Sequence, residues 1–96
     1  MPRVRQARAG VQGAPPDRQG FLEGELRSAW KACGGKGRTG RVALESTLRE
    51  VVDVKAVAVK GAAEPVLESC MREATWSLDL PPMFDQVRRT WTVTLA

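Results

Sequence analysis

"CMREATWSLDLPPMFDQVRRTWTVTLA", residues 70–96, decides the fold. It holds the second half of a helical stripe, a double proline at Pro81 and Pro82, and one alternating run. In that run Trp91, Val93 and Leu95 fall on one face, and Thr90, Thr92 and Thr94 on the other. A period of two is the mark of a half-buried strand. A strand of this kind at a sheet edge is a template for another chain unless it is used or blunted. Its use is therefore the functional question.

Upstream of the prolines, "GAAEPVLESCMREATWSLDL" has helical period. Val66, Leu67, Cys70, Met71, Ala74 and Leu78 form an apolar stripe, with Glu64, Glu68, Arg72 and Glu73 mostly opposite. Pro65 suits the first turn, and acids early in the helix suit its dipole. Before it lie two β-rich runs. In "RVALESTL", residues 41–48, Val42, Leu44, Ser46 and Leu48 alternate with polar or small residues. In "VDVKAVAVK", residues 52–60, the apolar phase slips after Val54 to Val57 and Val59, which predicts a bulge near Lys55 or Ala56. The two runs form a hairpin, although the residues between them lack the Asn or Gly that tight turns favour.

Before the hairpin, Phe21, Leu22, Leu26, Ala29, Trp30 and Cys33 recur at helical spacing, with Asp17 placed to cap that helix. "GGKGRTG", residues 34–40, ends it, and Gly34 or Gly35 suits the left-handed cap position. The order is αββαβ. It predicts a two-layer α+β domain, a three-stranded antiparallel sheet with two helices on one face. That domain spans residues 17–96. Residues 1–16, rich in glycine and proline, read as a disordered basic tail or linker.

Composition narrows the function. A chain of 96 residues is one domain with a modest core. The net charge of +4 is mostly a tail property: Arg3, Arg5 and Arg8 supply +3, while the other 80 residues carry 12 basic and 11 acidic groups. No apolar run reaches the ~20 residues of a membrane span, and no block of signal-peptide length is seen near the start. Taken as a whole chain it is expected to be cytoplasmic. As part of an anchored parent it is expected to be periplasmic.

The chain has no histidine, which removes the commonest general base and metal ligand. No carboxylate pair reads as a catalytic dyad. "GGKGRTG" has a phosphate loop's composition but not its spacing, and a strand follows it rather than a helix. No enzyme, cofactor or metal site is expected. Cys33 and Cys70 both fall on core-facing stripes. They read either as two buried thiols or as a disulfide contributing roughly 3–4 kcal/mol. Of the tryptophans, Trp30 and Trp91 are expected in the core and Trp76 off the stripe.

The helix, "GRVALESTL", "VDVKAVAVKG", "VLESCMREA", the "W.LDLPP" exit and the final "TWTVTL" together resemble the C-terminal domain of TonB-like energy transducers. The resemblance covers about residues 20–96. It is closest to the variant at the ends of myxobacterial gliding-motility proteins of the AgmX/PglI type. The hairpin turn "LREVVD" departs from the family's Asp-x-x-Gly pattern, and only "GAPP" hints at the family's proline-rich linker. The resemblance implies a non-enzymatic module of the cell envelope. Its partner is expected to be an extended segment of an outer-membrane protein or a periplasmic component. The last strand, with Arg89, Thr90, Thr92 and Thr94, is expected to receive it by strand addition. Two alternatives stand beside this. One is self-association through the same strand. The other is a nucleic-acid-associated protein using Arg3, Arg5, Arg8, Lys36, Arg38 and Arg41, a partner that the near-neutral body makes a poor fit.

Overall fold

The computed structural model describes residues 17–61, 63–85 and 87–96. The expected tail, residues 1–16, lies outside them. The order αββαβ is as expected: helix α1 (Arg18–Ala32), strands β1 (Gly40–Thr47) and β2 (Glu50–Val59), helix α2 (Pro65–Trp76), a 3-10 turn at Pro82–Phe84, and strand β3 (Arg89–Leu95). The sheet is antiparallel throughout, in the order β2-β1-β3. β1 is therefore central, and β2 and β3 are its edges. Both helices pack on one face, α1 chiefly against β3 and α2 against β2.

Local chemistry sets the helix ends. Asp17 accepts from the Gly20 N–H at 2.7 Å and caps α1. At the far end Gly34 takes a φ of +92°; its N–H reaches the Lys31 carbonyl, and the Gly35 N–H reaches that of Trp30. That pair of bonds is a Schellman motif, which satisfies two carbonyls that the helix leaves over. Pro65 opens α2.

The core forms between helices and sheet. Leu22, Leu26 and Trp30 meet Val42, Leu44, Val54, Val57, Leu67, Met71, Phe84, Trp91, Val93 and Leu95, all buried. Trp91 stacks edge-on against Phe84, and its indole N–H donates to the buried Ser46 hydroxyl at 2.9 Å. Cys33 and Cys70 are joined, closing a separation of 37 residues and tying the end of α1 to α2.

Two expectations need correction. Leu48 is not the last inward residue of β1. It is 63% exposed, and with Arg49 it forms a two-residue turn in which both have positive φ, 49° and 71°. Val66 does not belong to the buried stripe of α2. It is 83% exposed, because the buried line runs Leu67, Met71, Thr75, and Val66 sits about 100° round the helix from Leu67. The expected bulge is present at Lys55, between the pairs Ala43–Ala56 and Leu44–Val54. A second one leaves Val52 unpaired, between Glu45–Asp53 and Ser46–Val51.

Candidate functional site: the open edge of the sheet

In an antiparallel strand a residue's N–H and C=O point to the same side, and the side alternates along the strand. Two observations assign the sides here. The Lys60 N–H donates to the Thr39 carbonyl at 2.8 Å, so Thr39 faces β2. Counting along β1, which carries no bulge itself, Gly40, Val42 and Leu44 then face β3. Their partners Leu95, Val93 and Trp91 face back. The backbone groups of Thr90, Thr92 and Thr94 therefore point away from the sheet. Independently, the Thr92 carbonyl accepts from the side-chain amide of Gln19 on α1 at 2.9 Å, which places that carbonyl on the outer side.

The other edge is blunted. β2 carries both bulges and the charged Asp53 and Lys55. Its Val54 carbonyl is already taken by the guanidinium of Arg72, at 2.9 Å. Bulges, charges and a covering side chain are the usual devices that stop a strand from pairing further. β3 has a regular register over seven residues and, among the described residues, only the Gln19 contact on its outer side. Among the described residues the two edges are therefore unequal, and only β3 is open over a useful length.

The expected site residues sit as follows. Thr90, Thr92 and Thr94 are exposed on the face of the sheet away from the helices. Arg89 lies on the opposite side from Thr90 and stacks over the Trp91 ring, 4.4 Å from its centroid. Trp76 is 47% exposed and lies well away from this edge, at the end of α2. Gln19 was not among the expected site residues. One glutamine on a helix gives no local signal, and its role appears only once α1 lies over β3.

The helix-free face of the sheet has two unlike ends. Near Thr90, the largely buried Glu45 carboxylate is held by Lys55 at 3.4 Å and Arg88 at 3.1 Å. Glu45, then Asp53, raise the pKa of the Lys55 ammonium above its ordinary value. Near Thr94, a shallow depression of about 400 Å³ is lined by Thr39, Gly40, Arg41, Ala58, Val59, Lys60 and Thr94, with no acidic residue in its lining.

The glycine-rich stretch before β1 is a packing device. A methyl group on Gly35 would meet the Trp30 ring at 2.4 Å, and one on Gly40 would meet it at 2.6 Å. Arg38 in this stretch is paired with Glu64, which removes one cation from the expected nucleic-acid set. Lys36 and Arg41 are exposed, and Arg3, Arg5 and Arg8 lie outside the described residues. Among the described residues no group of three or more acidic, histidine or cysteine side chains is placed to hold a metal, and no helix is long and apolar enough to cross a membrane.

Comparison of the chain with family models, curated proteins and solved structures returns no match.

Proposed function

We propose that this chain is a non-enzymatic protein-interaction module that takes an extended partner segment as a fourth strand along the outer edge of β3. The observation that carries the reading is the inequality of the edges: β2 is bulged, charged and covered, while β3 is regular and turns the backbone of Thr90, Thr92 and Thr94 outward. Strand addition draws affinity from those main-chain groups and specificity from the side chains alongside. Gln19 acts as a placeholder on the Thr92 carbonyl and gives way when a partner's N–H arrives.

The resemblance to TonB-like domains of the AgmX/PglI type supports the same use. On that reading the partner is a short segment of an outer-membrane protein or periplasmic component, and the wider role is energy transduction or motility in the envelope. The joined Cys33 and Cys70 agree with an oxidising compartment, the periplasm on this reading. A second reading, nucleic-acid binding, rests on Lys36, Arg41 and Lys60, none of which has an acidic partner among the described residues.

The test uses proline, which removes one N–H. As a probe, a peptide copying Gly40–Thr47 is suitable, because that sequence already pairs with β3 on its inner side. Thr92→Pro should fold with native circular dichroism and lose the peptide. Val93→Pro should fail to fold, because its N–H faces β1. A Thr92→Pro variant that still binds the peptide along β3 refutes the reading.

A further inference from the structure

The depression beside Thr94 bears on what kind of segment the edge accepts. Across the helix-free face, Ala58, Arg41 and Thr94 form one row, since Arg41 pairs with Ala58 on one side and with Thr94 on the other. A strand added outside β3 extends that row by one residue, whose side chain emerges on the same face as Thr94. Arg41 lines the depression at this row and Lys60, beside Thr39, lines it one row further along; neither has an acidic partner among the described residues. At the Thr90 end the matching row holds Glu45 and Asp53, and Lys55 and Arg88 already balance it. Among the described side chains the face is therefore unbalanced at one end only, and the imbalance is positive.

Resting on the strand-addition reading above, we propose that the partner segment carries an acidic side chain on the rung beside Thr94, seated against Arg41, with Lys60 farther off at the end of β2 adding to the positive field. Distance permits this. The added strand lies about two strand spacings from β1, roughly 10 Å. An arginine and a glutamate span that gap between them when the residue beneath is as small as threonine. The pairing also fixes register. A one-residue slip turns the acid to the opposite face, away from Arg41. Backbone bonds alone leave the position of an edge strand weakly specified, so a charged rung at one end gives the site the selectivity that the repeated threonines lack.

The probes are three peptides copying Gly40–Thr47, with Glu, Gln or Lys at the position of Arg41. That position pairs with Thr94 in the antiparallel register. Binding is followed by the backbone amide signals of β3 in the full chain, at low and at moderate salt. Glu should bind roughly fivefold more tightly than Lys, with Gln between, as one partly exposed attraction set against one repulsion provides. The gap should narrow at higher salt. It should vanish in the Arg41→Gln/Lys60→Gln double variant and reverse in Arg41→Glu/Lys60→Gln. All of these positions are exposed or lie at the end of the sheet, so the variants should fold. If the three peptides bind β3 equally, or if the preference survives in the double variant, this inference is overturned while strand addition stands. If no peptide moves the β3 signals, both fail. An oligothymidylate that shifts the Arg41 and Lys60 signals and leaves β3 undisturbed overturns the inference in favour of a nucleic-acid site.

Discussion

Replacing Leu48–Arg49 with Asn-Gly should stabilise this domain. Both residues hold positive φ, at 49° and 71°, in the two-residue turn between Thr47 and Glu50. Each L residue in that region costs roughly 1–2 kcal/mol, while Asn and Gly adopt it readily. The turn is held in place from outside: the Arg49 N–H donates to the Phe84 carbonyl at 3.1 Å, and its guanidinium pairs with Asp85. Asn-Gly keeps the first bond and loses the second. The lost pair is about half exposed on each side and contributes at most about 1 kcal/mol. The added glycine raises the entropy of the unfolded chain at a cost of roughly 0.5–1 kcal/mol. Leu48 is mostly exposed, so little apolar burial is lost. The balance is a gain of about 1–2 kcal/mol, or roughly 5–10 °C in Tm for a domain of this size. Urea unfolding followed by circular dichroism reads it directly, and the midpoint should rise with an unchanged slope. A midpoint that falls or stays put would refute the argument, and would mean that the ion pair or Leu48 itself carries more than its exposure allows.

Reduction of the Cys33–Cys70 bond should lower stability by roughly 3–4 kcal/mol, read as a fall in the urea midpoint with reductant, since a separation of 37 residues is closed. Gly40→Ala should destabilise by roughly 1–3 kcal/mol, because the new methyl meets the Trp30 ring at 2.6 Å and the Ala58 carbonyl at 2.7 Å. Gly24→Ala, which meets nothing within 4 Å on α1, should do the reverse by about 0.5–1 kcal/mol; thermal melts of both separate crowding from propensity. Trp91→Ala should cost roughly 3–5 kcal/mol in the same melts, since it opens a cavity beside Phe84 and strips the Ser46 hydroxyl of its donor.

The alternation of β3, the cap at Asp17 and the bulge at Lys55 were all legible, because each leaves a mark within a few residues. The phase slip in "VDVKAVAVK" located the Lys55 bulge. The Val52 bulge leaves no such mark, since Val51, Val52 and Val54 read equally well in either phase. The Leu48–Arg49 turn was not legible, because the pairing of Thr47 with Glu50 demands positive φ at two residues that do not signal it. The same holds for Gly35 and Gly40, which periodicity reads as punctuation and packing reveals as the slot for Trp30. At the candidate site the threonine face could be read from the sequence. The side to which its backbone points could not, because that depends on the β1–β2 register. Gln19 and the Arg41–Lys60 depression likewise arise only when distant segments meet.

Residue-resolved amide hydrogen exchange along β3 distinguishes an outward-facing threonine backbone from an inward-facing one. Exchange reports which N–H groups are held in stable hydrogen bonds. In the free protein, the amides of Thr90, Thr92 and Thr94 should exchange fast, and those of Trp91, Val93 and Leu95 slowly, bonded to Leu44, Val42 and Gly40 on β1. Binding of an extended segment should slow the three threonine amides and leave the other three as they were. Uniform protection along β3 in the free protein, or the opposite alternation, would contradict the account, because the outer edge would then have no donors to offer.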